Sequence, residues 1–378
     1  MFKSVLSLTL AAALGTASFG QTTLTAIPGE AAAAKYASIS QEILRAIEKG
    51  NEYLKSKQNP EGYWAQPSYP ALTALAVTAY MRDPANQGKP VPEYIRKGYD
   101  FILKSQKEDG SIFNRGMSSY NTAVCMMALL AANKEEYAPA ILKGRAYLIK
   151  QQNHFAPDNP YNGGIGYGDK QAPPIADLSN TSLALEAIYY SQKLAKDGKY
   201  GEQPDLDWNA ATEFINRCQQ NPAVNKEPWV SNDKSQLGGF VYRPGVSSAR
   251  DKKSAAFDKA EPPKAYGSMT YAGMQSLIYA NVDKNDPRVK LALKWLENSY
   301  SLDENPGMGV QGLYYYYQAM SKALSAMGID TLTLENGRKV DWRDELANKL
   351  ISIQKSDGSW VNTNNRWWEA DPVLVTSY

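Results

Sequence analysis

The sequence predicts an all-α protein built from copies of one helical unit, and three observations support this class. After residue 40, a helix-like run, a glycine-rich turn and a second helix-like run recur along the chain. The turn carries nearly the same phrase at three places, where it reads PEGYW, DGSIF and DGSW. The composition, 43% hydrophobic and 21% charged, is that of a globular protein with ample material for a core.

The first helix of each unit has the pattern of a surface helix. Apolar residues recur every three or four positions with charged residues between them, as in ILRAIEKGNEYLKSKQ. This period is typical of an amphipathic helix that buries one face. It predicts six outer helices, at 43–58, 94–106, 138–152, 206–220, 287–300 and 342–354.

The second helix of each unit is apolar nearly all round. These segments are rich in small residues and poor in charge, which is typical of helices buried on both sides. Their starts carry Asn, Ser, Thr or Asp, which are suitable N-caps. The pattern predicts six inner helices, at 70–81, 120–132, 179–190, 269–280, 312–324 and 371–378.

The number of units favours a closed ring. A unit this short cannot bury its apolar face alone, so neighbouring units must stack. Six alternating pairs, with no capping repeat that has a polar face, predict an α/α toroid of about six helix pairs, with an outer amphipathic ring and an inner apolar ring. An open right-handed solenoid is the structural alternative.

The N-terminus has the features of a secretory signal peptide. Residues 1–20 contain an early Lys3, an apolar run from Val5 to Leu14 and small residues before Gln21. The apolar run is too short to span a bilayer. The sequence therefore predicts export to a periplasm or beyond, with a mature chain that starts near Gln21. A cytosolic tail without fixed structure is the alternative.

The rest of the chain is predicted to hold one domain. Residues 21–40 are interpreted as a linker, and 41–378 as a single toroid domain. The segment 243–268 has mixed charges, Pro and Ser and no helical period, so it is predicted to be an inserted loop. It is either a solvated loop or a lid over the mouth of the toroid.

Charge and cysteine content exclude several kinds of partner. Lys and Arg total 41 against 39 for Asp and Glu, and basic–aromatic interleaving is missing, so no nucleic-acid partner is expected. No apolar run is long enough for a membrane helix, so no transmembrane segment is predicted. Cys125 and Cys218 fall within helical patterns and are expected to be separate buried thiols.

The repeated phrase resembles a known family. A helix, then Q-x-x-D/E-G-S/Y-W/F, then an apolar helix is similar to the repeat of the squalene–hopene cyclase and protein prenyltransferase superfamily. The resemblance covers roughly residues 40–378, with close matches at 58–64, 106–113 and 354–360. It implies an α/α toroid and, since one fold hosts many activities, no particular reaction.

The acid motif of the class II terpene cyclases is degenerate here. Such enzymes carry a D-x-D-D-T motif at the start of an inner helix. In this sequence ADLSNT, residues 176–181, resembles that motif and occupies the matching place. Asp177 matches the first Asp and Thr181 the Thr. Ser179 stands where the resemblance implies the general acid, and Asn180 replaces the fourth residue. A serine hydroxyl has far too high a pKa to protonate an alkene, so loss of cyclisation chemistry is predicted.

The residues that a prenyltransferase zinc site or a dinucleotide-binding site would need are also missing from the sequence. Protein prenyltransferases need an Asp/Cys/His zinc set, but His154 is the only histidine and both cysteines lie in helices. GGIGYG follows a helix rather than a strand, so it fails as a dinucleotide fingerprint. No metal and no cofactor are therefore predicted.

The candidate site is the mouth where the starts of the inner helices and the glycine-rich turns should converge. Asp177 is the candidate for a catalytic acid, although its position also suits a helix cap, as does that of Asp371 before Pro372. The Trp pair of NRWWEAD either plugs a seam or binds ligand. The candidate lining residues are Tyr69, Tyr120, Asn121, Tyr167, Asp177, Asn180, Tyr266, Tyr271, Trp367, Trp368, Glu369 and Asp371.

These observations predict an exported relative of the terpene cyclases that binds a ligand or partner in its cavity, without classical cyclase activity. The ligand would be a small molecule, a lipid or a glycan. The alternative is an enzyme that acts on an isoprenoid or on a polysaccharide in the same cavity. The cavity discriminates between them: an isoprenoid needs a deep apolar chamber, and a glycan needs an open groove with paired carboxylates and Arg or Lys.

Overall fold

The computed structural model describes residues 39–168, 175–249, 262–365 and 368–378. The predicted signal peptide, nearly all of the predicted linker, Trp367 and the middle of the 243–268 loop lie outside the described residues. Within the described ranges the chain is mainly helical, with one two-stranded sheet. The predicted all-α class is confirmed.

Each predicted helix is present and begins and ends within three residues of its predicted bounds. The helices are α1 (Ser40–Ser56), α2 (Pro70–Arg82), α3 (Glu93–Lys104), α4 (Ser118–Ala131), α5 (Ala138–Lys150), α6 (Leu178–Tyr190), α7 (Gln192–Lys196), α8 (Trp208–Cys218), α9 (Gly267–Tyr279), α10 (Pro287–Asn298), α11 (Leu313–Met327), α12 (Trp342–Ile353) and α13 (Pro372–Ser377). Short α7 was not predicted. Neither was the antiparallel hairpin of β1 (Thr331–Thr333) and β2 (Lys339–Asp341).

Burial separates the two kinds of helix as their patterns predict, with one exception. Every residue of α9 except Ile278 is buried, whereas α1 buries only one face. The exception is α5, which is predicted to be a surface helix but is largely buried. The segment that follows α6 covers it: Arg145 Nη2 donates to Gln192 Oε1 and to Asp205 Oδ1, both at 2.8 Å.

The apolar helices pack against one another in chain order. Helix α2 packs against α4, α4 against α6, α6 against α9, and α9 against α11. The last helix, α13, packs against α2 and α1, so the end of the described chain contacts its beginning. The amphipathic helices pack on this series, for example α3 on α2, α5 on α4 and α10 on α9.

A glutamine at the end of an amphipathic helix joins it to the next amphipathic helix. Gln106 Nε2 donates to the carbonyl of Gly110 in its own turn (3.1 Å) and to that of Ala140 in the first turn of α5 (2.8 Å). Gln354 makes the same pair of bonds, and its second acceptor is Ala46 O in α1, at 2.9 Å. The last amphipathic helix is thereby bonded to the first. The glutamines that bridge in this way are Gln58, Gln106, Gln152, Gln219 and Gln354.

The turn glycines need both their backbone conformation and their lack of a side chain. Gly110 has φ +90°, and a Cβ there would lie 2.2 Å from the carbonyl oxygen of Lys143. Gly358 of the DGSW turn has φ +88°, and its Cβ would lie 2.4 Å from Lys49 O. Any L-residue at these positions would be strained and would push two amphipathic helices apart.

The aromatic residue of the turn is held between three helices. Trp360 Nε1 donates to Leu350 O at 2.8 Å, and its backbone N–H donates to Thr376 Oγ1 at 3.1 Å. Gly50 of α1 leaves room for the indole, because a Cβ there would lie 3.1 Å from the ring. Trp360 is therefore held between α12, α13 and α1.

Two further sequence predictions concern the cysteines and the membrane. Cys125 and Cys218 are both buried and unpaired, as expected. In the ranges that the structure covers, no helix combines the length and the apolar character that a membrane span requires.

Two adjacent glutamines provide a test of the bridging bonds. Gln152 is buried, donates to Gly163 O and Asp207 O, and accepts from Asp207 N, whereas Gln151 is half-buried and makes no side-chain hydrogen bond within the described residues. At about 1 kcal/mol for each bond, Gln152→Ala should lower the free energy of unfolding by about 3 kcal/mol. Gln151→Ala should change it by less than about 0.5 kcal/mol. Urea denaturation measures both, and equal losses would contradict the role of the bridge.

Candidate functional site

The apolar helices surround a cavity of about 750 Å³. Its walls come mainly from α2, α4, α6 and α11. Because α13 has only six residues, side chains of α1 and α12 also reach the cavity. The apolar lining includes Ile47, Leu72, Leu75, Ala79, Val124, Met127, Leu183, Met269, Leu346 and Leu350.

Tyrosines line the end of the cavity at the starts of the apolar helices. The hydroxyl oxygens of Tyr242 and Tyr167 lie 3.4 Å apart, and Ser179 and Tyr315 share a hydrogen bond of 3.1 Å. Burial raises the pKa of Tyr315 to about 12, so its hydroxyl is neutral at physiological pH. The hydroxyls at this end include those of Tyr120, Tyr167, Tyr242, Tyr266, Tyr315 and Tyr378.

Asp177 is the N-cap of α6. Its Oδ1 accepts from the backbone N–H of Asn180, and its Oδ2 accepts from the Asn180 side chain, both at 2.8 Å. Asp177 is 2% exposed and does not line the cavity, whereas Asn180 and Tyr242 do. Burial raises the pKa of Asp177 to about 6, although hydrogen bonds from Asn180 and Tyr242 oppose the rise. The cap interpretation of this residue is confirmed.

Ser179, which the predicted resemblance aligns with the general acid of the cyclases, faces the cavity. Ser179 lines the cavity, and its hydroxyl is hydrogen-bonded to the hydroxyl of Tyr315 across from α6. Two neutral hydroxyls of high pKa cannot supply the strong acid that protonation of an alkene requires.

Besides Asp177, three other predicted lining residues do not reach the cavity. Asn121 is buried and its Oδ1 accepts from Ala71 N (3.0 Å), so it caps α2. Tyr271 is fully buried in contact with Tyr316, with ring centroids 5.7 Å apart. Asp371 caps α13 through Val373 N (2.8 Å). Because a helix turns by about 100° per residue, Asn121 points away from the cavity that its neighbour Tyr120 faces.

The segment NRWWEAD, residues 365–371, has two described residues at the cavity, Trp368 and Glu369. Trp368 is 42% exposed, and its ring meets that of Tyr69 edge-on at 4.8 Å. Glu369 is buried, and its Oε1 accepts from the backbone N–H of Tyr315 (2.8 Å), while its Oε2 accepts from Asn362 Nδ2 (2.9 Å). Burial raises the pKa of Glu369, and its carboxylate caps α11 from another segment. That contact spans 54 residues, so no local pattern could have indicated it.

Sequence reasoning missed an ion pair in the cavity wall. Lys322 Nζ of α11 donates to Glu186 Oε2 of α6 at 2.9 Å. The Glu186 side chain is 4% exposed and that of Lys322 is 23% exposed. The available signal was a charged residue within each of two otherwise apolar helices, SNTSLALEAIYY and GLYYYYQAMSKAL.

No protein-family model matches the chain. The resemblance to the cyclase and prenyltransferase superfamily therefore stays a prediction.

Among the residues that the structure describes, no group of three or more His, Cys, Asp or Glu side chains is placed to hold a metal ion.

The raised pKa of Asp177 predicts a pH-dependent cost of folding. Its rise from 3.8 to about 6 means that the folded state holds the proton more tightly than the unfolded state does. The resulting stabilisation is complete below about pH 4 and is lost as pH rises through 6. Two pKa units correspond to about 3 kcal/mol. Asn is an equally good cap without a charge. As pH rises from 4 to 7, the free energy of unfolding of Asp177→Asn should therefore increase by about 3 kcal/mol relative to that of the wild-type protein.

Thermal or urea unfolding at both pH values measures this difference. Asp177→Ala is the control, because it removes the cap as well and should cost about 1 kcal/mol relative to Asp177→Asn at either pH. Parallel pH profiles for wild type and Asp177→Asn would show that the carboxylate is ionised at no cost.

Proposed function

We propose that the helices form a closed α/α toroid of the type found in the squalene–hopene cyclase and protein prenyltransferase superfamily. The consecutive packing of α2, α4, α6, α9 and α11, and the packing of α13 on α2, support a closed inner ring. The bond from Gln354 to Ala46 supports closure of the outer ring. An open solenoid would leave its first and last units far apart.

Within this ring, the protein binds an apolar small molecule or lipid in its central cavity. The observation that carries this proposal is the cavity itself: about 750 Å³, with walls of aliphatic side chains and tyrosine rings. This volume lies within the range of about 300–1,000 Å³ that is typical of ligand pockets. Apolar walls with a few convergent polar groups suit a lipid-like ligand better than a protein partner.

Classical cyclase activity is not part of the proposed function. Ser179 offers only a hydroxyl bonded to Tyr315, and the nearest carboxylate, Asp177, is engaged in capping α6 and does not line the cavity. Binding of an apolar molecule needs neither an acid nor a metal.

A glycan is a poorer fit than a lipid. A glycan site needs several carboxylates and cations that are open to the sugar hydroxyls. Of the described carboxylates at the cavity, Asp83 accepts from Asn51 Nδ2 at 2.9 Å and Glu369 caps α11, which leaves Glu186, paired with Lys322 through one oxygen, as a single carboxylate rather than a set.

One observation favours a second candidate, an enzyme that moves a proton on an isoprenoid. Tyr242 lines the cavity and is hydrogen-bonded to Asp177, whose pKa is raised to about 6 by burial. A carboxyl group with this pKa that is linked to the cavity through a hydroxyl is suited to proton exchange near neutral pH. Loss of any turnover in Tyr242→Phe, with ligand binding unchanged, would support this candidate.

Filling the cavity tests the binding function. N-phenyl-1-naphthylamine, an apolar probe that fluoresces when buried, should bind the wild-type protein. Ala79 lines the cavity, so Ala79→Trp should fill part of it and weaken binding by about tenfold or more, which is at least 1.4 kcal/mol. The control is Lys290→Trp on the exposed face of α10, which should bind as wild type does. Equal affinities for all three proteins would contradict binding in the cavity.

Native mass spectrometry of protein purified from its own source, together with lipid and glycan extraction, identifies the class of ligand. Recovery of a stoichiometric apolar molecule is expected. Recovery of a stoichiometric glycan would contradict the proposed ligand class.

Export is the part of the proposal that rests on residues 1–20. Expression with the full N-terminus in a bacterial host should yield an extracytoplasmic protein whose mass corresponds to a chain starting near Gln21. Leu10→Arg should block cleavage, because it places a charge in the middle of the apolar run. An uncleaved wild-type protein in the cytosol would contradict export.

A further inference from the structure

Two side-chain contacts connect α6 with α11 at the same spacing. Ser179 contacts Tyr315 at 3.1 Å, and Glu186 contacts Lys322 at 2.9 Å. The second contact lies seven residues beyond the first on both helices, so α6 and α11 run parallel and in register. Seven residues of helix span about 10 Å. The cavity therefore has a hydroxyl pair at one level and an ion pair about 10 Å further along.

The ion pair lies in the wall of a cavity whose lining is mostly apolar. Leu183 on α6, Met127 on α4 and Leu346 on α12 line the same cavity, and the Glu186 side chain is almost fully buried. Removal of two charges from water costs several kcal/mol for each ion, and the attraction between them recovers this only when all of their hydrogen-bonding groups are satisfied. Apolar residues of similar size would hold the two helices together at no greater cost, so helix packing does not account for the charges.

The pair keeps hydrogen-bonding groups that no atom of the described residues uses. Glu186 Oε2 accepts from Lys322, but Glu186 Oε1 has no partner among the described residues. The Lys322 ammonium has three donors and uses one of them on Glu186. Gln318 lies one turn before Lys322 on the same face of α11 and also lines the cavity, and its side-chain amide makes no hydrogen bond to the described residues. Glu186 Oε1 is thus available as an acceptor and Lys322 Nζ as a donor of two hydrogen bonds, and the Gln318 amide lies one helical turn away.

A hydroxyl group satisfies this arrangement best. It donates its proton to Glu186 Oε1 and accepts from Lys322 Nζ, whereas a carboxylate has no proton to give and is repelled by Glu186. An ammonium group cannot accept from Lys322 and is repelled by it, and a hydrocarbon end leaves both groups unsatisfied.

We propose that the cavity takes an alcohol: a molecule with an apolar body and a hydroxyl group that is bound between Glu186 and Lys322. This inference rests on the proposed function, that the cavity holds an apolar ligand. The apolar body lies against the aliphatic and tyrosine walls between the two levels, and the hydroxyl identifies its polar end.

Displacement of N-phenyl-1-naphthylamine by matched compounds tests the inference. Dodecan-1-ol and its methyl ether have the same chain, but the ether has no proton to donate to Glu186. The alcohol should bind at least about tenfold more tightly than the ether, because a hydrogen bond to a charged group contributes about 1.5–3 kcal/mol. Dodecanoate and dodecylamine should both bind more weakly than the alcohol.

The double variant Glu186→Gln with Lys322→Gln assigns the preference to the ion pair. It removes both charges together, so no single buried charge is left uncompensated. The preference for alcohol over ether, taken as the ratio of their affinities for the same protein, should fall below about threefold. The control is Ser179→Ala with Tyr315→Phe, which removes the other contact between the same helices and should retain the preference.

The outcomes separate this inference from the proposed function. Failure of the probe to bind wild-type protein would overturn the proposed function. Probe binding with equal affinities for alcohol and ether would overturn the inference alone. If circular dichroism shows that the double variant is unfolded, Glu186→Asp replaces it. That variant keeps the charge but withdraws the carboxylate by one methylene, so an unchanged alcohol preference would contradict the inference.

Discussion

The hydrogen bonds of the bridging glutamines are the constraint on which the rest of the structure depends. Each glutamine donates to a carbonyl of its own turn and to one in or next to the N-terminal half of another amphipathic helix, so it sets the distance between these helices. The turn glycine permits this approach because a side chain there would collide with the neighbouring backbone, as at Gly110 and Lys143. The bond from Gln354 to Ala46 applies the same spacing between the two ends of the described chain.

This spacing determines what the apolar helices can do. Their starts are capped from neighbouring units, as when Asn121 accepts from Ala71 N and Glu369 accepts from Tyr315 N. Several polar groups near the helix starts are therefore engaged in hydrogen bonds that cap helices. The side chains left to line the cavity are mostly aliphatic or phenolic, and among the few charged ones the pair of Glu186 and Lys322 is where we propose that a ligand is selected.

Much of the helical fold and part of the site could be predicted from the sequence. Apolar period and turn chemistry are local properties, and they located the helices well. They failed for α5, whose burial depends on Asp205, 60 residues from Arg145. Of the predicted lining residues, Tyr120, Tyr167 and Asn180 line the cavity, whereas Asn121 and Tyr271 lie on the same helices and point elsewhere. Helical rotation by one or two residues decides which side chain faces inward, and a buried helix has no polar face that reveals it.

The sequence by itself determined the repeating unit, the two kinds of helix and the absence of an acid at Ser179, because each follows from residues close together in the chain. Only the tertiary structure decided which carboxylates are caps and which remain available to a ligand. Asp177 and Glu369 are held by backbone N–H groups, while Glu186 meets Lys322 across 136 residues. The chemistry of a buried carboxylate depends on the groups that reach it, and packing rather than sequence distance brings those groups together.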